Sequence, residues 1–366
     1  MSEIILLQMT DFRSNHNKYY KAEFKGGTCF VTYGRTGVSE QTVQYSEEVG
    51  RRKIREKKAK GYVEVPLHTP KVEYVDTNTR VDSKILDVVN NIFREAGETI
   101  DRYLATTVDA LSQEAIDKGR RLLAEINRAP QLWLVEEFYN TIPTRLPARI
   151  NANELVANFV DNIAEIEDRL NQLETAIASM VVQKKGASKY DALGAELDFV
   201  EGKEYDRIKR YVESTAVHNY PIRVRDIFSV KIPGERAAFD AETRGKTAIA
   251  TLFHGTHGAN IRHILRTGLV IKQTATNGSM FGRGLYFANK ASKSLNYSKS
   301  RYAPYRFLLV ANVAVGRPHI VYTAQSFSQP PNGYDSVFAK AGQALYNDEI
   351  IVYRQSQQTL THLVLI

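Results

Sequence analysis

The apolar residues of this 366-residue chain change period twice along its length. No single secondary-structure type satisfies both periods, so the chain must fold as an α+β protein of several domains. From the N-terminus to about residue 67 the pattern is strand-like. Tyr19-Tyr20-Lys21-Ala22-Glu23-Phe24 alternates, Gly26-Gly27 turns the chain, and Thr28 to Tyr33 is a second strand of β-branched and aromatic residues. Gly34-Arg35-Thr36-Gly37 breaks it, and Gln41 to Tyr45 makes a third. Glu47 to Lys60 reads as a helix with Ser46 at its N-cap, acids in its first turn and Gly61 at its end.

From about Val81 to Gln183 apolar residues recur at spacings of three and four. Ile85, Val88, Val89, Ile92 and Phe93 form one run, and Ile116, Leu122, Leu123 and Ile126 another. Leu132, Leu134, Val135 and Phe138 line a third helix. A last long helix carries Leu155, Phe159, Ile163, Ile166, Leu170, Leu173 and Ile177. Ser112 with Glu114, and Asn153 with Glu154, mark helix starts. The pattern predicts an antiparallel helical bundle. Pro66 and Pro70 mark a linker before it, and Lys184 to Lys189 a basic hinge after it.

The chain then turns β-rich. Strands are predicted over Val224–Val230, Ala248–Phe253, Phe307–Val315, Ile320–Tyr322, Glu349–Tyr353 and Leu360–Leu365, with helices over Tyr205–Val212, Ala259–Thr267 and Ala291–Tyr297. The domain limits expected from these changes are 1–70, 80–185 and 190–366.

The net charge of +8 suits a polyanionic partner such as nucleic acid, although a basic surface can also serve solubility alone. Cys29, the single cysteine, excludes an intrachain disulfide and a cysteine-rich zinc finger, and fits a reducing interior. No stretch approaches the roughly 18 apolar residues of a membrane span. The opening Met1-Ser2-Glu3-Ile4-Ile5-Leu6-Leu7 begins with an acid and has too short an apolar run for a signal peptide. An intracellular protein is expected.

Three segments of the last third place one polar residue each in an apolar, strand-like frame. They are Leu252-Phe253-His254-Gly255-Thr256, Gly282-Arg283-Gly284-Leu285-Tyr286-Phe287-Ala288 and Asn347-Asp348-Glu349-Ile350-Ile351-Val352-Tyr353. Taken alone, the histidine, the tyrosine and the glutamate would each be an ordinary structural residue. Their order, with Ala291-Ser292-Lys293-Ser294-Leu295-Asn296-Tyr297 between the second and third, is the signal.

In that order the segments resemble the His-Tyr-Glu signature of the poly(ADP-ribose) polymerase family. The resemblance implies a mixed α/β ADP-ribosyltransferase domain of two packed antiparallel sheets. It also implies a glycosyltransferase, more narrowly a pentosyltransferase, with NAD⁺ as substrate and no metal. Nicotinamide leaves NAD⁺ as a neutral base, so the C1′–N bond needs no general acid. What the reaction needs is a grip on the carboxamide, a flat surface for the ring and negative charge beside the oxocarbenium-like ribose. By resemblance His254 bonds the adenosine ribose, Gly255 and Ser294 hold the carboxamide, and Tyr297 stacks on nicotinamide with Tyr286 on the opposite wall. Glu349 is the catalytic carboxylate, and Lys293 orients Glu349 or a phosphate.

The resemblance extends upstream. Leu111-Ser112 to Ala129, Phe138-Tyr139-Asn140-Thr141-Ile142-Pro143 and Val160-Asp161-Asn162-Ile163 look like the family's helical regulatory domain, which implies that the bundle restrains the enzyme until DNA binds. Asn17-Lys18-Tyr19-Tyr20 and Tyr33-Gly34-Arg35-Thr36-Gly37 look like a WGR domain, a small β-sheet with a helix, in which Tyr33 replaces the usual tryptophan. That implies contact with DNA ends or nicks through Tyr33 and Arg35, with Arg51, Arg52 and Lys53 of the basic helix as a second surface. Protein acceptors, the enzyme itself included, are the implied targets. No membrane partner is implied, and the site of action is the nucleus in a eukaryote or the nucleoid and cytoplasm in a bacterium or virus. The full His254, Tyr286, Glu349 set favours polymer formation. Mono-ADP-ribosyl transfer to protein or to nucleic acid ends, a DNA-end adaptor with an inactive transferase fold, and a simple NAD⁺ glycohydrolase remain the alternatives.

Overall fold

The computed structural model describes residues 3–36, 40–65, 81–105, 108, 111–147, 151–185, 188–217, 221–244, 248–272, 279–343 and 345–366, without the side chains of 153 and 183–185. Gly37, the linker prolines Pro66 and Pro70, the middle of the basic hinge and most of the loop before Gly282 lie outside the described residues. Contacts divide the chain into two units that do not follow chain order. One joins Met1–Glu73 to Gly97–Lys185, the other Tyr74–Ala96 to Gly186–Ile366.

The first unit opens with an antiparallel sheet of order β4-β3-β2-β1-β5, built from β1 (Glu3–Asp11), β2 (His16–Lys25), β3 (Thr28–Arg35), β4 (Gln41–Ser46) and β5 (Val63–Val65). Helix α1 (Glu47–Ala59) follows β4, with the Ser46 hydroxyl accepting from the Val49 amide as expected of an N-cap. Strand β1 has no counterpart among the expected strands. Its run Ile4-Ile5-Leu6-Leu7 does not alternate because both faces are covered. Leu7 joins Tyr20, Phe24, Cys29 and Ile54 in one core, while Leu6 joins the core of the bundle.

The bundle follows α2 (Ser83–Asp101), which passes from the second unit into the first at Gly97. It contains α3 (Gln113–Arg128), α4 (Leu132–Thr141), α5 (Ala152–Asp161) and α6 (Ile163–Lys185). Ser112 caps α3 through the Ala115 amide at 3.1 Å. The single long helix expected over 155–177 is two helices. The Asn162 side chain bonds the Asn158 carbonyl at 2.7 Å and so competes for an acceptor that the helical ladder would use. The second of these helices starts at Ile163. The first starts at Ala152, so Asn153 is inside it rather than at its edge.

Among the described residues the second unit is one sheet of nine strands flanked by helices. In chain order it runs β6 (Glu196–Phe199), α7 (Gly202–Ser214), β7 (Asp226–Lys231), α8 (Glu235–Glu242), β8 (Ile249–His254), α9 (Ile261–Thr267), β9 (Leu285–Ala288), α10 (Ala291–Leu295), β10 (Phe307–Ala314), β11 (Pro318–Val321), β12 (Ser336–Ala339), β13 (Glu349–Val352) and β14 (Gln358–Leu365). The strand order is β11-β12-β13-β9-β8-β10-β14-β7-β6. The two antiparallel sheets expected from sequence are thus halves of one hydrogen-bonded sheet, linked between β8 and β9 by the single pair Phe253↔Ala288. Pairing is antiparallel except between β11 and β12, which run parallel. One half packs Phe281, Val337 and Ile351 with Tyr286 and Tyr353. The other packs Phe253, Leu308, Val310 and Val364 against Ile208, Val212 and Leu295.

Candidate active site

Strands β13, β9 and β8 are neighbours in the sheet, and they carry Glu349, Tyr286 and His254 respectively. Phe253 of β8 faces Ala288 of β9, and Ala288 in turn faces Glu349. The outer two strands are therefore two spacings apart, roughly 10 Å. Tyr286 lies two residues before Ala288 and opposite Ile351, which puts it on the same face as Glu349.

His254 ends β8. Its Nδ1 lies 2.9 Å from the Tyr286 carbonyl oxygen, which can only accept, so Nδ1 carries the hydrogen. Burial lowers the imidazole pKa from its ordinary 6.5, the Tyr286 carbonyl opposes that shift, and the charge of Lys272 adds to it. A neutral ring protonated at Nδ1 leaves Nε2 as an acceptor, suited to a sugar hydroxyl. The ring also meets Phe287 edge-on, with centroids 5.9 Å apart.

The next residue explains the His-Gly pair. A Cβ on Gly255 would lie 1.8 Å from the Ser294 carbonyl oxygen, so no side chain fits there. Among the described residues neither the N–H nor the C=O of Gly255 has a hydrogen-bond partner, and the Ser294 hydroxyl has none. Gly255 thus offers a donor and an acceptor, and Ser294 a hydroxyl, where the two backbones approach closely. That set matches a carboxamide, which offers one carbonyl and one NH₂.

Tyr286 is held by its own hydroxyl, which donates to the Gly282 carbonyl at 2.7 Å and accepts from the Phe281 amide at 3.0 Å. Burial pushes the phenol up to about 12; the Phe281 amide opposes this, and the charge of Glu349 adds to it. The side chain therefore offers a neutral ring rather than a phenolate. Gly282 makes the turn possible: its φ is +88°, and a Cβ there would meet the Phe327 carbonyl oxygen at 1.9 Å.

Glu349 is buried at the head of β13, and the Lys293 ammonium of α10 lies 2.9 Å from its Oε1. Tyr297 is half exposed, with the same ammonium 5.8 Å from its ring centroid. The structure thus gathers His254, Gly255, Ser294, Lys293, Tyr286 and Glu349, with Tyr297 at the open side. Tyr353 is not among the site residues expected from sequence; its hydroxyl donates to the Phe281 carbonyl at 2.6 Å and so fixes the same turn as Tyr286. Its period-two spacing from Glu349 and Ile351 was the available signal.

The residues expected to meet DNA all lie in the first unit. Arg35 donates to the carbonyl and the side-chain oxygen of Asn15, each at 2.9 Å, and so braces the β1–β2 turn. Arg51 pairs with Glu3 and Glu47 and sits 4.5 Å over the Phe24 ring. Arg52 and Lys53 share Glu56. Tyr33 lies beside Tyr20, and Lys57 rests against both rings and that of Tyr62. Much of the basic face of α1 is therefore already neutralised within the chain. Among the described residues no group of three His, Cys, Asp or Glu side chains is placed to hold a metal ion, and no helix is long and apolar enough to cross a membrane.

The chain is similar to known proteins over much of its length. The family model for the poly(ADP-ribose) polymerase catalytic domain matches residues 202–351. The human protein mono-ADP-ribosyltransferase PARP3 is 30% identical over 228 residues, covering 57% of this chain and 41% of its own length. Poly [ADP-ribose] polymerase 1 of Danio rerio is 28% identical over 250 residues, covering 62% and 24% respectively. Poly [ADP-ribose] polymerase 1 of Arabidopsis thaliana is 26% identical over 309 residues, covering 69% and 31%. The chain spans less than half the length of each of these relatives.

Proposed function

The chain belongs to the poly(ADP-ribose) polymerase family, and from that premise we propose that it is a DNA-dependent ADP-ribosyltransferase. It cleaves NAD⁺, releases nicotinamide and transfers ADP-ribose to protein side chains, its own included, and then to the growing polymer. The observation that supports this reading is the placement of His254, Tyr286 and Glu349 on three adjacent strands, with Lys293 paired to the carboxylate.

In this reading the carboxamide of NAD⁺ bonds the N–H and C=O of Gly255 and the Ser294 hydroxyl. Its pyridinium ring lies against Tyr297 and Tyr286, and His254 Nε2 accepts from the adenosine ribose. As the C1′–N bond breaks, its electron pair goes to the ring nitrogen and nicotinamide leaves neutral. Glu349 supplies the opposing negative charge for the oxocarbenium-like ribose. It then takes the proton of the acceptor hydroxyl as the new C1′–O bond forms. Lys293 keeps the carboxylate in place.

The Glu349 carboxylate supports polymer formation, since elongation needs a group that polarises an acceptor hydroxyl. Mono-ADP-ribosyl transfer is the second reading, favoured by the resemblance to the human mono-ADP-ribosyltransferase. DNA dependence is supported by the resemblance of the segments Asn17-Lys18-Tyr19-Tyr20 and Tyr33-Gly34-Arg35-Thr36-Gly37 to a WGR domain and by the positive net charge. Labelled NAD⁺ incubated with the chain, with and without nicked DNA, tests all three points. Nicotinamide release that rises with DNA and yields long, protease-resistant chains is expected. Absence of release would overturn the enzymatic reading, and a single ADP-ribose per acceptor would favour the second.

A further inference from the structure

We propose that Glu95 of α2 is a positioning residue for the nicotinamide end of the donor site, a role that rests on the family reading above. Glu95 is fully buried, although it lies in a helix that the sequence assigns to the regulatory bundle. Its Oε1 accepts from the Arg301 amide at 2.8 Å, and its Oε2 from the amides of Tyr302 and Ala303 at 2.7 and 2.8 Å. Three successive backbone N–H groups thus cradle one carboxylate. Next to it, Arg94 donates to the Tyr302 carbonyl and to Asn91. The 301–303 segment is fixed from both sides of the backbone.

This segment is the continuation of the donor pocket. Ser298 and Tyr297 bond back to the Ser294 carbonyl, the same oxygen that closes against Gly255. Gly258, four residues after His254, donates its N–H to the Lys299 carbonyl at 2.8 Å. A Cβ on Gly258 would meet Ser300 Oγ at 2.4 Å and Glu95 Cγ at 3.1 Å. The two arms that grip the carboxamide, 254–258 and 294–303, therefore meet on the Glu95 side chain. A carboxylate is required because an amide in its place presents an NH₂ to a set of N–H donors, whichever way it is turned.

The test is the full chain with saturating nicked DNA, comparing wild type, Glu95→Gln and Val88→Ala. Val88 is buried in the same helix and touches neither arm in any hydrogen bond, so its truncation reports loss of helix anchoring alone. Glu95→Gln is expected to raise KM for NAD⁺ about tenfold while kcat stays within about twofold, the pattern of lost ground-state binding. Val88→Ala should lower the melting temperature and leave KM unchanged. Wild-type KM in Glu95→Gln, or an equal rise in Val88→Ala, overturns the proposal. A wild-type chain that releases no nicotinamide overturns the catalytic reading, and this role with it.

Discussion

The Lys293 ammonium lies 2.9 Å from Glu349 Oε1, and the two side chains keep only 14% and 9% of their surface exposed. Removing one partner of so buried a pair leaves an uncompensated charge. Lys293→Met should therefore lower the denaturation free energy by about 3 kcal/mol, the lower end for such a loss. It should also lower kcat about tenfold, because the carboxylate is no longer held beside the ribose. Lys293→Arg should retain most of both. Wild-type turnover in Lys293→Met would remove the lysine from the catalytic account.

Glu349 itself is tested by Glu349→Gln, which keeps shape and removes charge. Nicotinamide release should fall by about 10²–10³, the range seen when one transition-state electrostatic contact is lost. NAD⁺ binding, followed by calorimetry, should persist. Long chains made by this variant would refute the role given to the carboxylate.

The buried imidazole makes a prediction about acid. The folded-state pKa of His254 is held below the ordinary 6.5, so the unfolded chain binds a proton more readily than the native one. Stability is complete above the unfolded value and falls as pH drops beneath it. His362, also lowered by burial and partly restored by Glu204, acts in the same direction. The denaturant midpoint should decline between about pH 7.5 and 5.5, and His254→Gln should reduce the decline without abolishing it. An identical decline in the variant would place the effect elsewhere.

The strands of the candidate site could be read from the chain because His254, Tyr286 and Glu349 each interrupt a strand-like apolar run, and such runs predict strands directly. What could not be read was how those strands are ordered, since neighbours in the sheet are distant in sequence. Glu95 was invisible for a different reason. Its partners are backbone amides, which leave no trace in side-chain pattern, and it sits among the residues of an otherwise ordinary amphipathic helix. The pairing of the basic run on α1 was also hidden, for the acids beside Arg51 come partly from β1, far upstream.

DNA contact gives a prediction in salt. Arg52 is the most exposed of the three expected cations on α1, and its only described acidic partner, Glu56, is 3.8 Å away. Arg52→Glu with Lys53→Glu should weaken binding to nicked DNA and reduce the slope of log affinity against log salt by about 1–2. An unchanged slope would move the DNA surface off this helix.

The near-separation of β8 from β9 has a chemical consequence. Among the described residues the two strands share no pair beyond the one at Phe253, and the backbone at Gly255 has no hydrogen-bond partner. An incoming carboxamide can serve as the next rung, so recognition rests on main-chain atoms that no substitution at that position can tune. Competitors should be planar lactams and primary amides that imitate a peptide unit, and resistance to them would have to arise in the surrounding side chains.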